Sequence, residues 1–302
     1  MRNNPPRKHH YVPEGYIKAW AGPDRKVTVF TRTPIGKVVS RRDYPSTVMF
    51  DLDVYADRTH ELNDMQAHWL ELDYLQALDN VGAKMQRDML AGRLPSIGSG
   101  RREWIRFLLS LLNRHPDDVE TFRRLHAVMW KEHEDEGVKN MRASLPDMDP
   151  ILVARKYMDA WRAKAETERV ASLRRMMDYG LSGQIIERSH WEVLDLSASP
   201  VSLLLSDKPV YRSTTFREKG DYIAVPLGPK RLFRASLGWR RARPFSRREA
   251  EMFVGKVNTA FLKSARSYVV AVDANLREGA ERLMATEPAR SIADIMAEPF
   301  GL

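Results

Sequence analysis

The sequence predicts an α+β fold, with a mixed or antiparallel sheet built from N- and C-terminal strands around a large helical insertion. Three observations carry this. Residues 26–56 alternate with period two, residues 61–179 repeat apolar positions at three and four, and short β-rich runs return between Trp191 and Val272. Strands close in sequence prefer to pair, and a three-stranded opening sheet is marginal alone. The first and last strands are therefore expected to meet. That gives N-terminal strands over 1–58, a helical bundle over 59–182, and completing strands with a helix over 183–302.

The opening, Lys8-His9-His10-Tyr11-Val12-Pro13 through Trp20, is unusually aromatic for a terminus and should be tied down by burial. Lys26–Arg32 alternates, Lys37–Ser40 can pair back on it, and Thr33-Pro34-Ile35-Gly36 supplies a turn. Asp51–Ala56 reads as a third strand. From Glu61 a helical stripe of Leu62, Met65, Trp69 and Leu72 continues toward Leu90, where Gly92 and Pro95 stop it. Arg101–Arg114 is apolar on most of its surface and should lie centrally. His115-Pro116 ends it, Asp117 and Asp118 open a helix to about Glu136, and residues 137–148 read as a loop. Asp149-Pro150 begins a helix that runs to about Tyr179. Strands are expected at Trp191–Leu196, Val201–Leu205, Tyr222–Val225, Leu232–Leu237 and Tyr268–Val272. Ser246-Arg247-Arg248-Glu249 is a capping box for a helix, and Ser291–Ala297 suits a short closing one.

Composition narrows the chemistry. The 302 residues include no cysteine, which excludes disulfides, thiolate nucleophiles and Cys-ligated zinc. No apolar run reaches the roughly 18–20 residues of a membrane span, and no apolar segment follows the basic start as in a secretory signal. A cytoplasmic protein without a membrane partner is the expectation. Net charge is +9, carried as +5 over residues 1–58, −1 over 59–182 and +5 over 183–302. Such a field favours an anionic partner, nucleic acid above all, although solubility alone also accounts for it.

His9 and His10 suit acid/base catalysis, phosphate binding or metal ligation; the alternative is a structural histidine bonded to backbone. Adjacent residues in an extended segment point to opposite faces, so one ring could enter a pocket while the other packs. Further metal ligands are not identifiable, and neither a metal nor a cofactor is expected. Ser206-Asp207-Lys208-Pro209 follows an apolar strand. There Asp207 could orient a histidine and Lys208 bind phosphate, or Asp207 could simply satisfy local amides. Arg114, ending the apolar helix, could bind phosphate or cap the helix dipole. His60, Asp64 and Glu71 lie opposite the Leu62/Met65/Trp69 stripe and read as a solvated face. Arg240, Arg241, Arg243, Arg247 and Arg248, flanked by Trp239 and Phe245, have the composition of a nucleic-acid contact, or of a solvated loop.

The opening His9–Pro13 followed by Tyr16-Ile17-Lys18-Ala19-Trp20 resembles that of the bacterial domain-of-unknown-function family 4238. Leu112–Pro116, Ser206–Val210 and Pro226–Pro229 are similar to later motifs of that family, in the same order. Asn258 falls where the family tends to place an asparagine. The resemblance supplies no reaction; from the residues themselves, the leading reading makes His9, His10 and Asp207 catalytic and Tyr11, Arg114, Ser206, Lys208 and Asn258 substrate contacts. The resemblance does imply a genomic setting of mobile elements and phage conflict. Lys208 stands for the usual Asn, Gly228 for Ser, and His115 for a small residue. Three functions stay open: a nucleic-acid-binding protein of nuclease type, a non-catalytic interaction protein, or a hydrolase of a small anion.

Overall fold

The computed structural model describes residues 7–57, 62–144, 149–213, 218–238 and 243–301. The chain begins with strand β1 (Lys8–His10), short helix α1 (Glu14–Ile17), hairpin β2 (Val27–Arg32) and β3 (Val38–Asp43), then β4 (Phe50–Leu52). Helices follow: α2 (Asp64–Ala67), α3 (Gln76–Leu90), α4 (Ser99–Asn113), α5 (Pro116–Ser144), α6 (Pro150–Met177) and α7 (Leu181–Arg188). Next come β5 (His190–Asp195), β6 (Leu205–Ser206), β7 (Tyr211–Arg212), β8 (Tyr222–Gly228) and β9 (Arg231–Ser236). Helix α8 (Arg247–Ser264), strand β10 (Tyr268–Ala271), α9 (Arg277–Leu283) and α10 (Ile292–Ala297) complete the order.

The two ends of the chain meet in one antiparallel sheet of order β3-β2-β10-β6, as the α+β reading expects. Tyr268 of β10 faces Thr31 of β2, and the register holds through Ala271 opposite Thr28. A second antiparallel sheet, β5-β9-β8-β7, is made of C-terminal strands alone, and β1 pairs with β4 as a separate ribbon. Helix α4 runs through the middle, with Trp104, Ile105, Phe107 and Leu108 fully buried. The opening segment is nailed across this core. Tyr16, Ile17 and Trp20 are fully buried; the Tyr16 hydroxyl donates to the Pro226 carbonyl (2.6 Å) and the Trp20 indole to that of Leu203 (2.8 Å). Gln86 ties them together by donating to the carbonyls of Tyr16 (3.0 Å) and Leu227 (2.8 Å). Among the described residues no helix is long and apolar enough to cross a membrane.

Several local expectations change. The third strand ends at Leu52, because Asp53 takes left-handed backbone (φ 53°) and turns Val54 and Tyr55 into the core. Helix α5 continues past Glu136 to Ser144, since the lone Gly137 weakens a helix without stopping it. Val201–Leu204 is irregular, and the strand there is only Leu205–Ser206. Helices α7 and α9 and strand β7 had no sequence forecast. The largest correction concerns residues 62–75. Asn63 caps a helix of one turn, and a π turn over Leu70–Leu75 adds a residue to the repeat, rotating the face that points inward. His68, Leu70, Glu71 and Leu75 are therefore buried, while Met65 of the expected stripe is 44 % exposed. Glu71 does not lie on a solvated face; His60 lies outside the described residues.

Candidate functional site

Helix α4 ends where Asn113 gives way to Arg114-His115, and Pro116 starts α5 at once. This corner faces the Ser206–Val210 turn that leaves β6. Asp207 sits where β6 joins β10, and its carboxylate accepts the backbone N–H groups of Arg266 (2.9 Å), Ser267 (2.6 Å) and Tyr268 (2.8 Å). The histidine that faces it is His115, with Nε2 at 3.7 Å, in place of the His9 or His10 expected from sequence. Burial pushes the Asp207 carboxyl up, but His115 and the amides of Ser267 and Arg266 outweigh it and hold the group below the ordinary carboxylate range. The other ring nitrogen of His115, Nδ1, accepts the Asp117 N–H (3.2 Å), which leaves the ring proton on Nε2, toward Asp207. Tyr11 packs edge-on against the His115 ring at 4.9 Å.

Lys208 reaches back to Asp118 on the first turn of α5 and forms a buried ion pair. Burial raises the Asp118 carboxyl, and the Lys208 ammonium opposes that. Ser206 is buried; its hydroxyl accepts the Lys208 N–H (3.1 Å) and donates to Asp207 (3.3 Å). Arg114 is fully buried, and its Nη1 meets Asp79 at 2.7 Å while Nε donates to the Tyr11 carbonyl at 2.9 Å. Asn258 spans an irregular strand as a backbone mimic: Oδ1 accepts from Leu204 N–H (2.9 Å) and Nδ2 donates to the Ser202 carbonyl (2.8 Å). Ser206 and Asn258 are thus spent on the protein itself, as are Nε and Nη1 of Arg114, whose buried Nη2 has no hydrogen-bond partner among the described residues.

Beside the Lys208 turn lies a cavity of about 220 Å³, lined by Lys208, Tyr211, Arg212, Ser264, Arg290 and Ser291 among others. Arg290 pairs with Glu298 (3.0 Å) at the surface. Arg212 is different. It is half-buried, and among the described residues it has neither a carboxylate nor a hydrogen-bond partner. Burial alone acts on its guanidinium and draws it below its ordinary value.

The N-terminal imidazoles belong to another cluster. His9 is fully buried, stacks flat on Tyr55 (5.3 Å, 4°), and its Nδ1 accepts the Tyr55 N–H (3.2 Å). His68 meets Asp53 at 3.1 Å through Nε2 and the Asp64 carbonyl at 2.8 Å through Nδ1. Asp53 also takes Arg7, whose hydrogen bond holds its carboxyl down at about 2. His9, Asp53 and His68 bring ligand-type atoms within 4.8 Å of one another and could hold a metal ion. The Tyr55 amide, however, keeps the His9 proton on Nε2 and makes that atom a donor, so the cluster is already a hydrogen-bonded network of its own. His10 is half-buried against Phe50, and burial lowers its imidazole.

In the basic segment, Arg240 and Arg241 lie outside the described residues. Arg243 forks onto Glu249 (2.6 and 3.0 Å), and Glu249 also closes the capping box of α8. Arg247 and Arg248 are exposed.

A family model described as Protein of unknown function (DUF4238) matches residues 8–275. The chain belongs to this family. No curated protein and no solved structure matches it. The segments that resemble family 4238 touch one another in space. Tyr11 binds Arg114 and packs on His115, His115 faces Asp207, Tyr16 binds Pro226, and Asn258 binds Leu204 beside the turn. In this member of family 4238 the motifs therefore lace the opening to the C-terminal sheets. Sequence reasoning missed His115, Asp118, Asp79, Tyr55 and Arg212. His115 stood out only as a helix breaker and as a departure from the family pattern, and Arg212 carried no signal before its strand was known.

Proposed function

We propose that this chain binds a small phosphate-bearing ligand in the cavity beside the Ser206–Val210 turn. The observation that carries the reading is Arg212, a half-buried guanidinium that lines the cavity without a counter-charge among the described residues. Partial burial of an unpaired cation is costly, and a planar guanidinium matches phosphate oxygens in a bidentate way. Lys208 and Arg290 add positive charge at the same wall, partly offset by Asp118 and Glu298. The cavity's small volume favours a small anion, or a single terminal nucleotide, over a duplex lying in a groove.

Binding is supported better than hydrolysis. The lone pair of His115 Nδ1 is taken by the Asp117 N–H and Asp207 is surrounded by amides, so neither offers a free base to a ligand. The nuclease-type reading would need another base. A nucleic-acid partner keeps the support of Arg247 and Arg248, which stay exposed, whereas Arg243 is neutralised by Glu249.

Titration with inorganic pyrophosphate tests the reading. Wild type is expected to gain thermal stability with the logarithm of ligand concentration above its Kd, with the gain falling as salt rises. Arg212→Ala should lose the response, and Arg247→Ala should keep it. A flat response in wild type, or an undiminished one in Arg212→Ala, rejects the site.

A further inference from the structure

Helices α5 and α6 leave a groove of about 510 Å³ between them, which shares no lining residue with the cationic cavity. That volume lies within the range of small-molecule pockets, which begin at roughly 300 Å³. On α5 the lining recurs at three and four, from Arg123 and His126 through Trp130 to Glu134, so one face of the helix forms a wall. Met158, Ala165 and Arg169 of α6 belong to the other. Part of the groove is aromatic. His126 stacks on Trp130 (5.3 Å, 24°), and Trp130 stacks on Trp161 of α6 (4.3 Å, 24°).

Arg169, Trp130 and His126 are incompletely bonded. Arg169 is 2 % exposed; its Nε and Nη2 are taken by Glu166 and the Ala56 carbonyl, while Nη1 has no partner among the described residues. The Trp130 indole N–H is buried and lacks an acceptor among them too. A buried donor left unmade costs stability, and both belong to residues that line the groove. The partner they lack is an acceptor that enters it. His126 is half-buried, and neither ring nitrogen is bonded among the described residues. Burial, followed by the Arg169 charge, lowers its imidazole, so this ring is uncharged at neutral pH. The charged lining balances, with Arg123, Lys131 and Arg169 against Glu134, Asp135 and Glu166. Such a groove favours neither an anion nor a cation.

We propose that the α5–α6 groove is a second binding site, for an uncharged planar molecule that carries a carbonyl oxygen. The carbonyl accepts from Trp130 Nε1 and Arg169 Nη1, and the flat ring packs on the His126 and Trp130 rings. Aromatic amides and lactam heterocycles are the class with that shape, acceptor and charge. The site is independent of the phosphate reading and of Arg212.

Calorimetric titration of the full chain with indole-3-carboxamide, indole-3-carboxylate and indole tests each feature. The three share one ring and differ in the acceptor and its charge. The carboxamide is expected to bind at least about fivefold more tightly than indole, as one or two added hydrogen bonds would give. It should also bind more tightly than the carboxylate. Trp130→Phe keeps a ring but removes the N–H, and should weaken the carboxamide about threefold or more while sparing indole. Ala127→Trp, which fills the groove from an exposed position of α5, should abolish carboxamide binding and serves if Trp130→Phe proves unstable. Arg212→Ala should leave carboxamide affinity unchanged, and pyrophosphate should not compete. Absence of carboxamide binding to wild type, or its survival in Ala127→Trp, overturns the site. Equal affinity for carboxamide and indole, or an undiminished advantage in Trp130→Phe, overturns the carbonyl contact. Tighter binding of the carboxylate overturns the uncharged class. Loss of carboxamide binding in Arg212→Ala moves the ligand to the cationic cavity and overturns the proposal.

Discussion

The backbone carbonyl of Tyr11 accepts a 2.9 Å hydrogen bond from Nε of Arg114, 103 residues further along the chain. The same guanidinium holds Asp79 at 2.7 Å, and the Arg114 carbonyl in turn accepts the Tyr55 hydroxyl at 2.6 Å. One buried side chain thus joins the opening segment, α3 and the end of α4.

Arg114→Met should be among the most damaging substitutions in the chain. It leaves Asp79 buried without its cation and the Tyr11 carbonyl without its donor, a change of roughly 3–5 kcal/mol when a buried pair is broken from one side. Burial already raises the Asp79 carboxyl, and Arg114 is the group that opposes it. Urea unfolding of Arg114→Met, Asp79→Leu and the double variant measures this. The double variant should recover part of the loss, because no charge is then stranded. Strict additivity would show that the two side chains do not depend on each other.

Glu71 should make the protein less stable as pH rises from weakly acidic to neutral. Burial, followed by the Asp79 charge, pushes its carboxyl up to about 7 from an ordinary 4.5. The folded state therefore holds a proton that the unfolded chain releases above about pH 4.5. Its stabilising contribution is complete below that pH and is lost as pH rises toward 7, by about 3 kcal/mol at most. His10 has the opposite sign: burial lowers its imidazole, so its contribution is present above the ordinary value of 6.5 and is lost as pH falls below it. Glu71→Gln should raise the melting temperature at pH 7.5, do little at pH 4.5, and flatten the profile between. An unchanged slope in that variant would assign the pH dependence elsewhere.

The meeting of β2 with β10 was legible because it follows from period-two runs at both ends of the chain and from the limits of a three-stranded sheet. The burial of Tyr16 and Trp20 was legible from composition alone. Glu71 was not, since the helical wheel presumes an unbroken α repeat and the π turn over Leu70–Leu75 breaks that premise locally. The partner of Asp207 was missed for a similar reason. His115 reads as a helix breaker in one dimension, and only the corner between α4 and α5 turns its ring toward β6. Arg212 became visible only as part of a cavity whose described lining holds no acid.

Gly82 should not tolerate a methyl group. A Cβ built there would lie 2.2 Å from the Phe107 ring, where α3 crosses α4. Alanine is the better helix former by about 1 kcal/mol, but forcing the packed ring aside costs typically 1–3 kcal/mol. Gly82→Ala should therefore be destabilising overall in chemical denaturation. Phe107→Leu, itself destabilising, should reduce the penalty of Gly82→Ala when the two are combined. A Gly82→Ala protein more stable than wild type would mean that the helices can separate at no cost.

Asn258 separates a structural from a ligand-binding role. Its amide satisfies the Leu204 N–H and the Ser202 carbonyl, two backbone groups in an irregular stretch that no strand pairs. Asn258→Ala strands both, at roughly 1–3 kcal/mol for each buried group left unsatisfied, and should lower the melting temperature clearly. Asn258→Asp keeps the acceptor for Leu204 but turns a second oxygen toward the Ser202 carbonyl, so it should not rescue. Asn258 does not line the cationic cavity, and pyrophosphate affinity measured well below the melting point should stay within a few-fold of wild type. A large loss of affinity in a folded Asn258→Ala protein would return this residue to the substrate contacts expected from the sequence.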